Sequence, residues 1–354
     1  MTHPTITTAS AEQLLNDACS FLHAFNKSTD TFTFVKTNER ILRQLAFIDG
    51  RENISVNNDY YHLKAEDIEE QYLANEVKSP LRFIFHIGFC GSTLLANTLG
   101  QQSEKVLCYK EPQILIDLAQ LKANQHLCYR DHTQWKKYLQ LCLSQLNKIF
   151  SVGQASVIKP SNWVNSLLPD LVKTCPDIRA VFISMPLEDY LIAVFRGGQE
   201  RIQFIYELRQ HLVHDLSEYA ALCQEIDQSD DEILLQVGKT IAVVYLMQQQ
   251  LFKQAQKLLK TEQYKLIDYH QISGMPEVSI KQVSQALMLG LEIEEIQSAI
   301  ADSFTKHAKD SRYEYSINKQ AEVNHQVLNY YHVIIEQVSL WCHSISEVSQ
   351  TKIA

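Results

Sequence analysis

From Leu81 onward, short apolar runs alternate with stretches of helical periodicity, and no other feature constrains the fold as much. The runs "LRFIF", "KVLCY", "ASVI", "RAVFIS" and "YKLIDY" are too short for helices and carry β-branched or aromatic residues. Between them lie "TLLANTLG", "PQILIDLAQL", "WKKYLQLCLSQLNKIF", "NWVNSLLPDLVKTC" and a long helical run near 231 to 260. Strands alternating with helices require crossover connections, so the sequence predicts an α/β fold: a mainly parallel central sheet in a three-layer αβα arrangement. Residues 1–78 read as a helical N-terminal extension, opening with an amphipathic helix capped by Ser10 and followed by a second in "NERILRQLAFI". Residues 79–275 read as the α/β core, and 276–354 as a helical C-terminal region completing the domain, with a polar interruption at "KHAKDSRYEYS".

Where the first run meets its helix the chain reads "FHIGFCGSTLLANTLG", in a sequence with only ten glycines. A glycine-bearing turn here leaves backbone N–H groups unpaired at a helix N-terminus and aims the positive end of the helix dipole at whatever sits there. An anion such as phosphate fits. The segment Gly88-Phe89-Cys90-Gly91-Ser92-Thr93 lacks the lysine of GxxxxGK[ST], which disfavours ATP hydrolysis through the common loop. The plainer alternative is a strand-to-helix turn in which Ser92 or Thr93 merely caps the helix.

Composition narrows the ligand. A net charge of -9 over 354 residues argues against generic nucleic-acid binding and against a polybasic membrane surface, so a polyanion would need a local basic patch. The eight cysteines show no CxxC spacing and point to reduced thiols rather than a disulfide framework or zinc site; no metal is expected. Without a signal-like N-terminus or an apolar run of the roughly 18–20 residues a span needs, the expectation is a cytoplasmic protein with no membrane partner.

The segment "IGFCGSTLLANTL" resembles the sulfotransferase superfamily, whose P-loop-like fold binds 3'-phosphoadenosine 5'-phosphosulfate with a strand-loop-helix of this form. The resemblance, to a divergent bacterial branch, continues through "YKEPQIL", "VIKPSNWVNSLLPDLVKTCPDIRAVFISMPLEDYL", "YKLIDYHQI" and "SFTKHAKDSRYEYS". It implies that the donor is held by the backbone of Gly88, Phe89, Cys90, Gly91, Ser92 and Thr93 and by the two hydroxyls. The departures are specific. Phe89 stands where many members carry a basic residue, and Ser184-Met185-Pro186 with Ile192 replaces the arginine and serine that grip the 3'-phosphate. Arg196 could reach back to that pocket or be surface charge at a helix end. Lys306 and His307, with Lys309 and Arg312, resemble the loop that closes over the nucleotide, or are solvated surface.

Sulfonyl transfer needs in-line attack by an acceptor, a base for its proton, and cations or backbone donors for the leaving phosphate. Glu111 follows the run "KVLCY", at the end of a parallel strand where α/β ligands bind, and is the candidate base; its alternative role is to complement a helix dipole. Lys159 ends "ASVI", in a segment resembling the family's Lys-Thr-His, and would stabilise the leaving oxygen. Ser161 occupies the histidine position there, and Asn162 either caps the next helix or orients substrate. The expected partners are a nucleotide donor and a small-molecule acceptor bearing a hydroxyl or amine. Two alternatives remain: a small-molecule kinase using ATP on a noncanonical loop, and a catalytically degenerate nucleotide fold serving as an interaction module.

Overall fold

The computed structural model describes residues 5–6, 10–68, 80–102, 104–123, 132–304 and 317–351. Among these residues, nine strands fall into two sheets. Strands β1 (Thr5–Ile6), β2 (Ser20–Asn26), β3 (Thr31–Lys36) and β4 (Asp59–Lys64) form the first, in order β1-β4-β3-β2. Strands β5 (Arg82–His86), β6 (Val106–Lys110), β7 (Ala155–Lys159), β8 (Arg179–Ser184) and β9 (Tyr264–Asp268) form the second, in order β6-β7-β5-β8-β9 with every pairing parallel.

This second sheet is the α/β architecture that the alternating pattern predicts. Strands β5 to β8 are buried along nearly their whole length, as parallel strands covered on both faces must be. Phe83 stacks on Phe85, Phe85 on Phe182, and Phe182 meets Phe252 of the helix Ile233–Leu258, which covers that face. The helices Ser92–Gly100, Pro276–Ala286 and Ile293–Ser303 cover the other. From central β5 the chain crosses to the edge at β6, returns inward through β7, and then passes to the other side through β8 and β9. The crevice at the carboxyl ends of the strands therefore opens beside the loop after β5, where such a switch in direction places ligands. No helix among the described residues is long and apolar enough to cross a membrane.

The N-terminal stretch differs from the expected helical extension. Ser10 does cap a helix, accepting from the Gln13 amide, but that helix ends at Asn16. Asp17 stops it by taking the Cys19 amide at 2.8 Å and Lys36 Nζ at 2.6 Å, after which the chain enters β2. The physical reason is tertiary: an aromatic cluster of Phe25, Phe32 and Tyr138 gives the strands a face to bury. Helix periodicity in "SFLHAF" lost to it. The second expected helix is real but short, Glu39–Gln44, capped by Asn38. Lys148 ties this sheet to the core by donating to the carbonyls of Leu14 at 3.1 Å and Asp17 at 3.0 Å.

Candidate active site

The loop after β5 is built from backbone conformations that few residues tolerate. Gly88 (φ 90), Phe89 (φ 58) and Gly91 (φ 75) all lie in the left-handed region, and Gly91 is the N-cap of the helix Ser92–Gly100. For Phe89 such a φ costs of order 1 kcal/mol, and strain of this kind gathers at ligand sites. Side chains over-determine it. His86 accepts the Gly88 amide on Nδ1 at 3.0 Å and meets the Pro160 carbonyl through Nε2 at 2.9 Å, which fixes the neutral Nε2–H tautomer. Asn165 donates to the His86 carbonyl at 3.0 Å and Asn162 to the Ile87 carbonyl at 3.3 Å; both also donate to Gln248. Asn162 is thus a strut for the loop rather than a helix cap, since the turn at Asn162–Leu167 has no side-chain cap.

With those carbonyls held, part of the loop's amides stay without a protein partner among the described residues. The Ile87 and Gly88 amides are spent on Ile183 and His86, whereas the amides of Phe89, Gly91 and Thr93 meet no protein acceptor among the described residues. Cys90 is sealed beneath them. Its thiol points at the Ile183 carbonyl, and burial pushes it up to about 11, so it serves packing rather than nucleophilic chemistry.

Glu111 also has a left-handed backbone (φ 54), and its amide donates to the Lys159 carbonyl at 2.6 Å, locking the end of β6 to the end of β7. Its carboxylate is gripped by two cations: Oε1 by Lys159 Nζ, and Oε2 by Arg51 at 3.1 Å. The Lys159 side chain is 1% exposed and that of Glu111 13%, so the pair faces the crevice from within the protein. Arg51 lies over the Phe47 ring at 3.9 Å and bonds Asp49 at 2.7 Å through Nε.

A cleft of about 680 Å³ joins these parts, lined by residues 88–94 together with Glu111, Lys159 and Arg196. Every described candidate from the sequence reaches it. Lys306 and His307, with Lys309 and Arg312, lie outside the described residues. Ser184 and Ile192 do not make a phosphate pocket: Ser184 Oγ accepts from Gln249, and Ile192 is buried.

Several lining residues escaped the sequence reading. Phe47, Asp49 and Arg51 come from the N-terminal region, where a helical reading concealed the Asp-Gly turn that carries them. Trp163, Phe204 and Tyr269 form apolar walls, and no local pattern marks them out. Arg201 was findable: "FRGGQER" packs two of the chain's few glycines between two arginines.

No family model matches the chain, and no curated protein matches it. Among solved structures, a sulfotransferase from Alicyclobacillus acidocaldarius aligns over 75% of this chain and 97% of its own, at 15% identity and a TM-score of 0.36. The sulfotransferase domain from the curacin biosynthetic pathway aligns over 75% and 98%, at 11% identity and 0.40. A sulfotransferase from Mycobacterium avium aligns over 73% and 78%, at 12% identity and 0.38. Likenesses this distant carry no argument on their own. The functional reading rests on the cleft.

Proposed function

We propose that this chain is a sulfotransferase-like enzyme that moves a sulfonyl group from 3'-phosphoadenosine 5'-phosphosulfate to the hydroxyl or amine of a small acceptor. One observation carries the reading: a strained loop with amides that meet no protein acceptor among the described residues shares a cleft with the Glu111–Lys159 pair, which occupies the adjacent strand ends. The amides of Phe89, Gly91 and Thr93, with the Ser92 and Thr93 hydroxyls, would hold the anionic end of the donor. The acceptor oxygen or nitrogen forms its bond to sulfur as the bridging bond from sulfur to the phosphate oxygen breaks. Its proton passes to Glu111, and Lys159 meets the charge that builds on the leaving adenosine 3',5'-bisphosphate. Lys159 is bonded to Glu111 at rest, so a phosphate that draws the ammonium away also releases Oε1 to take the proton.

The free state of the seven described cysteines accords with a reducing, cytoplasmic setting. The interaction-module alternative draws on one observation, that the positions of the usual 3'-phosphate ligands are absorbed into the protein at Ser184 and Ile192. Calorimetry with adenosine 3',5'-bisphosphate, followed by transfer of label from the donor to a metabolite extract, tests the proposal. Binding in the micromolar range with labelled product supports it. The absence of both removes it.

A further inference from the structure

Phe89 interrupts the pattern at the position where a cation would touch the anion. Its ring lies against Tyr190 and Phe204, with centroids 6.2 and 6.4 Å away. Above the ring, 4.6 Å from its centroid, is the guanidinium of Arg201, contributed by the helix Gly198–Val213. A cation on an aromatic face is held there by the ring quadrupole. One NH1 proton of Arg201 goes to the Ala193 carbonyl near the end of the preceding helix, and its other N–H donors meet no protein acceptor among the described residues.

Gly197 makes this placement possible. A Cβ there would lie 1.9 Å from Arg201 Cδ and 2.3 Å from Nε, so the side chain runs through space that only glycine leaves open. The backbone of Gly197 is itself ordinary, with φ -82, so packing rather than conformation demands the residue. Burial and the like charge of Arg196 hold Arg201 below its ordinary value, and Glu200 offsets them only in part. Arg196 lines the same cleft and bonds Asn324. Two guanidinium groups therefore converge beside amides that already favour an anion.

We infer that Arg201 is the cation of the loop's anion site, delivered across the Gly197 gap onto the Phe89 ring to bind the phosphate or sulfonate end of the donor. This role rests on the proposed transferase reading for the identity of the donor but not for the binding of an anion. It makes Phe89 a platform instead of a defect, and it predicts that charge and path both matter.

The test is isothermal calorimetry with two probes, inorganic pyrophosphate and adenosine 3',5'-bisphosphate, on the wild type, Arg201→Gln, Arg201→Lys and Gly197→Ala. Arg201→Gln should weaken both probes roughly 10- to 100-fold, the span for losing a charge-assisted contact. Arg201→Lys should recover only part of this, because a lysine cannot reproduce the planar fork. Gly197→Ala keeps every charge and displaces only the arginine stem, so it should approach the glutamine variant. Unfolding midpoints are read in parallel; if Arg201→Gln does not fold, Gly197→Ala decides. Unchanged affinity in the variants overturns the role of Arg201 and leaves the donor reading standing. Pyrophosphate binding that depends on Arg201 without any bisphosphate binding keeps Arg201 and sinks the donor. A wild type that binds neither probe sinks both.

Discussion

The two flanks of the cleft hold their charges differently. On the side of β6 and β7, Lys159 and Arg51 both meet Glu111, and Arg51 meets Asp49 as well. On the side of the Gly197 junction, Arg201 meets a backbone carbonyl and an aromatic face, with Arg196 a second cation close enough to be felt. A flank whose charges are already paired loses little by exchanging partners during a reaction, which suits moving a proton. One whose Arg201 has no acidic partner in an ion pair among the described residues gains most from an arriving anion. On the proposed reading, chemistry belongs to Glu111 and donor binding to the arginines, and variants can separate the two.

Replacing Glu111 by Gln gives the largest expected effect. It keeps the shape and removes the base, so kcat should fall about 10²- to 10⁴-fold, the usual contribution of a general base. Affinity for adenosine 3',5'-bisphosphate should stay within about threefold. A matching loss of binding would erase the distinction between the flanks.

Lys159→Met comes next. It leaves the carboxylate with Arg51 alone, and breaking a buried pair from one side costs roughly 3–5 kcal/mol, here at the lower end because Glu111 is 13% exposed. Urea titration should show this loss. The Glu111→Gln/Lys159→Met double variant should recover most of the stability and none of the activity. Recovery of both would mean that the pair is only structural.

Acidification should act on the opposite flank. His211 lies on the helix that carries Arg201, and its Nε2–H donates to the Trp163 carbonyl at 3.1 Å, with Ser166 Oγ at 3.0 Å. Burial lowers it to about 4, with Lys122 and His214 acting in the same direction. The folded chain thus refuses a proton that the unfolded chain takes up near pH 6.5. Stability from this group is complete above about pH 6.5, falls as pH drops toward 4, and levels off below, a loss on the order of 3 kcal/mol. The difference in unfolding free energy between wild type and His211→Gln, measured from pH 7 to about 4, isolates it. A flat difference would show that His211 does not pin the arginine flank.

How much of this was legible in the sequence follows the same division. The parallel sheet and the loop were readable because their signals are local: apolar runs at strand length, and glycines where φ must be positive at Gly88 and Gly91. That Glu111 and Lys159 would share one cleft was readable because strand ends of a parallel sheet converge. The first sheet was not. "SFLHAF" satisfies a helix as well as a strand, and what decides is Tyr138, more than a hundred residues away in sequence, closing on Phe25 and Phe32. Misreading that region hid Arg51 and Phe47 from the site. Arg201 had a local sign in "FRGGQER", but its place over the loop was not legible there, since it depends on the absence of an atom at Gly197 and on a ring at Phe89, neither of which carries charge.

Arg51→Gln is the smallest and most discriminating change. The Arg51 side chain is 56% exposed, so its ion pairs with Asp49 and Glu111 are screened and worth at most about 1 kcal/mol to stability. Its effect should fall elsewhere. Freed from Arg51, Oε2 of Glu111 keeps no cation of its own while Oε1 remains on Lys159, so the carboxylate loses one of the two contacts that orient it. The kcat should then fall by roughly three- to tenfold, with the unfolding midpoint and bisphosphate affinity nearly unchanged. Because Arg51 comes from the N-terminal region and Glu111 from the core, that loss would tie the region outside the parallel sheet directly to the proton transfer. An unchanged kcat would confine the chemistry to Glu111 and Lys159 and leave the N-terminal region as a wall.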